Sequence, residues 1–415
     1  MHRAPAGASM ARVSALTRAA STYPTGFWVL WWGTLLNRLG EFVVPLLGFY
    51  LTAQAHLSVT QVSVILAMLG LGRFVSEGLS GPLTDRRGPA FTMILALSGG
   101  AVMILALSVA QGFWWTAAGV LGFSLLSALY KPAASTAVAE LTQGAQRTRA
   151  YNLLYWAINV GAATAPVLGG WLAGRSMRLL FWLDAATMAA YALLLALLYP
   201  RTARPARNAA AHARPLLPRD LLLWQFCLAS LLFGLTYQSY KVLAVVFAQQ
   251  GFSAVQYGQV LAVNGALVVL LGLPLGHLIA RSGHPRWQAL GAALLGAGFL
   301  GHAVAHTLWA HMLAVVVWTA GEIIAYGISK TIISELGPPA QRGTYIGLVG
   351  SMAGLATLLA PLLGGALLQA LGAGGMWVVI AGLAFMAALL LLALEGRVQG
   401  RLLQRGQEAG QEALT

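Results

Sequence analysis

The chain is built from apolar runs long enough to cross a lipid bilayer, and little else. A bilayer core about 30 Å thick needs about 20 mainly apolar residues per helix. Runs of that kind occupy roughly residues 25–53, 59–83, 89–110, 112–138, 149–174 and 177–199, then 220–249, 254–280, 286–306, 308–335, 343–370 and 374–395. They are numbered here as spans 1 to 12. Of the 415 residues, 58% are hydrophobic and only 9% are charged, against about 25% charged in soluble domains. The expectation is an all-α membrane protein in which backbone polar groups are satisfied inside each helix.

The spans fall into two sets of six, related by one offset. Gly81, Leu83, Arg86 and Gly88 return 195 residues later as Gly276, Leu278, Arg281 and Gly283. The same offset carries Ser58 and Gln61 onto Ser253 and Gln256, Gln146-Arg147 onto Gln341-Arg342, and Ala165-Pro166 with Gly169-Gly170 onto Ala360-Pro361 with Gly364-Gly365. A constant register over such windows is the mark of a duplicated, parallel six-helix unit. The expected organisation is an N-terminal tail at 1–24, a six-helix half at 25–199, a linker at 200–219, a second half at 220–395 and a C-terminal tail at 396–415. The linker carries Pro205, Pro215 and Pro218 and lacks helical periodicity. With no separate apolar segment before residue 25, span 1 is expected to serve as an uncleaved signal.

Charge sets the orientation. The net charge is +14, yet the arginines sit in short loops rather than on a nucleic-acid-binding face. With the N-terminus inside, the inner tails and loops hold 18 arginines and the outer loops only Arg175 and Arg178. That asymmetry predicts both termini and the linker on the cytoplasmic side of the plasma (inner) membrane. The single Cys227 permits no intrachain disulfide. No Gly-Lys-Ser/Thr phosphate loop occurs, which excludes the usual nucleotide-driven pump. No metal or cofactor set is read from the sequence, and no catalytic residue. His302, His306 and His311 flank an outer loop and read as solvated loop residues rather than ligands.

Five motifs carry a resemblance. Gly81-Pro-Leu-Thr-Asp85-Arg86-Arg87-Gly88 is similar to the loop between helices 2 and 3 of the major facilitator superfamily. Gly161-x-x-x-Ala165-Pro166-x-x-Gly169-Gly170 is similar to the superfamily's antiporter signature in helix 5, with Ala165 where a Gly is usual. Asn37-Arg38-Leu39-Gly40, Arg73-Phe74 and Gly321-Glu322 look like its bacterial drug:proton antiporters. The resemblance implies two six-helix halves that alternate access to a central cavity. It implies that Gly81, Asp85, Arg86 and Gly88 form a cytoplasmic latch. It implies a transporter and not an enzyme, working as a monomer with a small-molecule substrate, protons and the lipid bilayer as partners.

In hydrocarbon a charge needs a reason, because it costs about 2.5–3.5 kcal/mol on insertion scales. Away from the span ends, the charges are Arg38, Glu41, Arg73, Glu77, Lys131, Asp184, Lys241, Glu322 and Lys330. Arg38 with Glu41 and Arg73 with Glu77 have the spacing of same-helix pairs. Asp184 reads as a structural hydrogen-bonding residue, and Lys330 as one that snorkels. Glu322 has no charged residue at i±3 or i±4, so it is the first proton-coupling candidate, with Glu41 the second. If spans 1, 4, 7 and 10 line the cavity, then Asn37, Arg38, Lys131, Tyr237, Gln238, Tyr240, Lys241 and Tyr326 are its candidate substrate residues. The expected activity is proton-coupled export of small amphipathic, drug-like molecules. The cavity's formal balance of two extra positive charges leaves an anionic or zwitterionic metabolite as the alternative. A receptor or scaffold that keeps the fold without transport is the alternative of another class.

Overall fold

A computed structural model of the chain describes residues 23–200, 218–282, 285–338 and 341–412; the N-terminal tail and almost all of the linker lie outside them. Among the described residues there are helices and no strands. Ten segments are long and apolar enough to cross a membrane. Two features raise the passes to twelve. Span 1 is two shorter helices, Thr25–Leu39 and Val43–Ala53. Spans 11 and 12 run together over Arg342–Glu412, but Gly372 (φ 69°, ψ 178°) breaks them apart with a conformation open essentially only to glycine.

The break in span 1 has a local cause. A continuous helix would press the Pro45 ring against the carbonyl of Glu41. The chain instead turns at Gly40, and Pro45 falls in the first turn of a new helix, where no N–H is needed. Asp184 on span 6 accepts a hydrogen bond from the Val43 N–H at 3.2 Å, so the expected structural role of this acid is a cap for the second half-helix. Span 4 breaks likewise between Gly112–Ser127 and Tyr130–Leu141, with Pro132 just past the break. Span 7 divides into Leu221–Gln238 and Tyr240–Gln249.

The duplication governs local structure as well as sequence. Ser58 and Gln61 form a reciprocal capping box at the start of span 2, with bonds of 3.0 and 3.3 Å. Ser253 and Gln256 repeat it at span 8, with 2.8 and 3.2 Å. The tight turn before each box uses a positive φ at matching positions, His56 (50°) and Gly251 (81°).

The halves meet through the same symmetry. Span 5 crosses span 8 where a side chain at Gly170 would meet the Ala254 carbonyl at 2.8 Å and the Gly258 Cα at 3.3 Å. Its mate in the repeat is the crossing of span 2 with span 11, where Ser63 fills the space beside Gly365. Gly265 lies against Ala163, and its counterpart Gly70 lies against Leu358. Gln369 Nε2 donates to Thr60 Oγ1 at 2.6 Å, joining spans 11 and 2. Span 1 touches span 7 at Gly48, beside Ala244 and the Lys241 carbonyl. All these contacts lie in the half of the molecule away from the termini. Toward the termini, no described atom adjoins the Cβ positions of Gly78 and Gly81 of span 2, or of Gly347 and Gly350 of span 11. Among the described residues, one end of the molecule is closed and the other is parted.

Two further ties depart from the sequence reading. His302 and His311 are not solvated: they are 2% and 0% exposed. Their Nδ1 atoms stand 2.8 Å apart, joining spans 9 and 10 beneath the outer loop. The chain after Glu395 is polar and reads as a frayed tail, yet it stays helical to Glu412, and Arg401 within it makes an ion pair with Asp220 at the foot of span 7. Trp114, Trp115 and Trp309 stand 80%, 75% and 77% exposed at helix ends away from the termini, where an interfacial aromatic belt belongs.

Candidate functional site

Near the middle of its helix, Leu308–Leu336, span 10 presents Glu322. Each of its carboxylate oxygens is engaged from a different helix. The Tyr237 hydroxyl of span 7 donates to Oε1 at 2.8 Å. The Asn264 amide of span 8 donates to Oε2 at 2.8 Å and, through its second N–H, to Thr319 Oγ1 at 3.0 Å. The sequence pattern marks Glu322 as solitary on its own helix, and its partners come across helices instead.

This arrangement can hold either protonation state. As a carboxylate, Glu322 accepts from both donors. Once protonated, it has an O–H to donate, and the Tyr237 hydroxyl can turn from donor to acceptor. Asn264 donates in both states. The number of hydrogen bonds is then conserved while the charge changes, which keeps a buried site from losing a partner at either extreme.

An aromatic wall adjoins the acid. Tyr237 lies 5.6 Å from Tyr326 and 5.8 Å from Tyr240 between ring centroids. Phe233 stands edge-on to Tyr326 at 5.6 Å, and Trp318 to Tyr237 at 6.3 Å. Such rings offer faces to apolar groups and cations.

Other expected residues separate into distinct places. Arg38 and Glu41 form an ion pair with each other, so the second coupling candidate has a fixed basic partner. Gly161 of span 5 lets that helix approach the backbone of Arg38 closely. Asn37 Oδ1 is buried with no hydrogen-bond partner among the described residues. Gln238 is half-buried, and Lys131 is exposed, at the start of the second half-helix of span 4. Beneath it, Tyr130 bonds to Thr34 at 2.8 Å and to Tyr191 at 2.9 Å, knitting spans 1, 4 and 6. The side chains of Glu77 and Lys330 lie outside the described residues.

The helix-5 motif divides its labour. Gly161 and Gly169 pack against span 1 within the first half, while Pro166 and Gly170 face Gly258 of span 8 across the halves. In the loop motif, Gly88 takes φ 85° to turn the chain from span 2 into span 3. Asp85, Arg86 and Arg87 are exposed there, at the parted end.

Comparison with known proteins fits this architecture to a family. The model of the Major Facilitator Superfamily matches residues 30–336 and, again, 226–414. The chain belongs to the major facilitator superfamily. The MFS-type transporter YdeE of Escherichia coli (strain K12), itself uncharacterized, is 26% identical, over 86% of this chain and 92% of its own length. The multidrug resistance protein MdtH of Proteus mirabilis (strain HI4320) is 28% identical, over 75% of this chain and 79% of its own. Among solved structures, a mutant of the nucleoside transporter NupG superposes with a TM-score of 0.78 at 14% identity, covering 89% of this chain and all of that one. A POT family transporter in complex with a thioalcohol-conjugated peptide gives 0.76 at 15% identity, covering 90% of this chain and 97% of that one. Both structural likenesses are those of fold. This superfamily member is therefore a secondary transporter of twelve membrane helices in two parallel halves. The sequence reading missed Asn264, since it sought polar groups only on spans 1, 4, 7 and 10. The available signal was a lone amide in the apolar run Leu261-Ala-Val-Asn-Gly-Ala-Leu.

Proposed function

We propose that the chain is a proton-coupled exporter of small amphipathic molecules at the plasma membrane, and that Glu322 is its coupling carboxyl. The observation that carries the reading is the Tyr237–Glu322–Asn264 network. It joins spans 7, 8 and 10 through a group that can gain or lose a proton without losing a hydrogen bond. Opening of the cavity to one side hydrates this site, and closure dries it. Hydration favours the charged carboxylate and burial the neutral acid, so protonation and conformation are linked.

With the arginine-rich loops in the cytoplasm, the parted end opens inward and the structure is the inward-facing form. In it the loop acid Asp85 is exposed and makes no hydrogen bond or ion pair with another described residue, as expected of a latch that closes only when the cytoplasmic end closes. The likeness to MdtH proteins and the helix-5 motif support export of drug-like compounds. The formal excess of positive charge among the cavity candidates supports, as a second reading, an anionic or zwitterionic cargo.

The test is flux in proteoliposomes with and without an imposed pH gradient, over a panel of amphipathic dyes and aromatic carboxylates. Wild-type protein is expected to concentrate at least one probe when the gradient is applied. Glu322→Gln keeps the shape of the protonated acid, so it is expected to exchange that probe downhill but not to concentrate it. A Glu322→Gln protein that concentrates the probe as well as wild type places coupling elsewhere, with Glu41 next. A folded wild-type protein that moves no probe in either mode favours the receptor class.

A further inference from the structure

We infer that Lys241 is an anion subsite, so that the cargo carries a carboxylate, phosphonate or sulfonate beside an aromatic body. This deepens the carrier reading above and rests on it. Lys241 is the second residue of the second half-helix of span 7, directly beneath the closed end, where its carbonyl packs on Gly48 of span 1. Its ammonium makes no hydrogen bond or ion pair among the described residues. The charge within its electrostatic reach is Arg73 of span 2, which is also positive.

The other charges nearby are already engaged. Arg38 is paired with Glu41, and Glu322 accepts from Tyr237 and Asn264. Arg73 has interactions of its own. Lys241 thus has no compensating partner among the described residues, in a place where an unpaired charge is unfavourable. An anion supplied from outside completes it.

The surroundings give that anion a body. Tyr240 adjoins Lys241 in sequence and continues the ring wall of Tyr237 and Tyr326. Arg73 is also within electrostatic reach of Tyr240 and Tyr326. An anionic group at Lys241 therefore lies at one edge of an aromatic surface whose other edge is Glu322.

The test is equilibrium binding in neutral detergent with no gradient, so it stands or falls separately from proton coupling. The probes are matched pairs, 2-naphthoate with 2-naphthamide and indole-3-acetate with its amide, together with tetraphenylphosphonium and phosphatidylglycerol micelles. The readouts are thermal unfolding and titration. At least one carboxylate is expected to stabilise wild type more than its amide does. Lys241→Gln is expected to weaken that carboxylate at least tenfold, and Lys241→Arg to restore it. The ligand-free midpoint of Lys241→Gln is expected to equal or exceed that of wild type, since a bare cation has been removed. Several results overturn the inference: equal effects of carboxylate and amide, no effect of any carboxylate, protection by tetraphenylphosphonium alone, protection by phosphatidylglycerol alone, or carboxylate protection undiminished in Lys241→Gln. A lowered ligand-free midpoint in that variant also overturns it, by making Lys241 a structural tie.

Discussion

Asp184 illustrates how a single buried carboxyl can serve structure rather than transport. It is 3% exposed, and it caps a half-helix that exists only because Pro45 and Gly40 interrupt span 1. Asp184→Ala leaves the Val43 N–H buried without an acceptor, which costs about 1–3 kcal/mol. Asp184→Asn keeps an oxygen in place and is expected to lose much less. Thermal unfolding in detergent separates the two; equal losses in both variants would mean that the negative charge, not the cap, matters. Much of this residue-level picture is absent from sequence spacing. Same-helix spacing correctly suggests the Arg38–Glu41 pair, because three residues apart on a helix means side by side. It is silent on Asn264 and Tyr237, whose proximity to Glu322 depends on how separate helices are rotated against each other. The break in span 1 follows from Gly40 and Pro45, but the sequence reading took 25–53 as one span, because a run of apolar residues long enough to cross the bilayer masks it.

At the scale of elements, the crossing of spans 5 and 8 is a gate made from missing side chains. Pro166, Gly170 and Gly258 allow the backbones to touch, and only small residues permit that approach. Gly258→Leu puts four extra carbons into this contact between the halves. It leaves the packing within each half intact, so the protein is expected to fold with its closed end held apart. Ser63→Cys, 4% exposed as serine at the matching crossing, then reacts with a membrane-impermeant thiol reagent several-fold faster than in a Gly258 background. An unchanged rate contradicts the gate. The repeat made these crossings readable, since Gly169-Gly170 and Gly364-Gly365 mark both copies. A second element-level device, at the opposite end, was not readable. Arg401 and the Tyr345 hydroxyl both bind the Asp220 carboxylate, Tyr345 at 2.7 Å, and Asp220 caps span 7 through the Leu222 N–H at 3.1 Å. Burial alone would raise this carboxyl, but the bonds from Arg401 and Tyr345 and the charge of Arg401 hold it below the usual carboxylate value. With a depressed folded value, its contribution is fully present above about pH 3.9 and is lost as pH falls through the lower folded value. The stability gap between wild type and Asp220→Asn is therefore expected to stay constant from neutral pH to about pH 5 and to close below about pH 4. A gap that closes near neutral pH assigns the effect to another group. Polar composition after Glu395 suggests fraying, because the sequence alone does not show that Arg401 has an acid to reach.

For the whole molecule, duplication explains both the fold and its capacity to move. Each of these small-residue contacts at the closed end has a counterpart at the same register in the other repeat: Gly170 with Gly258 against Gly365 with Ser63, and Gly265 with Ala163 against Gly70 with Leu358. Two similarly folded units packed around a central axis can rock as rigid bodies, closing one end as the other opens. The twelve-span layout was legible because spanning length and arginine placement are dictated by the bilayer itself. The central claim is that the closed and parted ends exchange. Pulsed electron resonance distances in lipid measure this directly, with one spin-label pair at Leu79 and Ile346 on the parted end and another at Ala55 and Leu371 on the closed end. Both pairs join spans 2 and 11 or their flanking turns, and all four positions are exposed. On a change of pH or addition of a transported probe, the account predicts that the first distance shortens as the second lengthens, in the same fraction of molecules. Distances that stay fixed, or that lengthen and shorten together, contradict it.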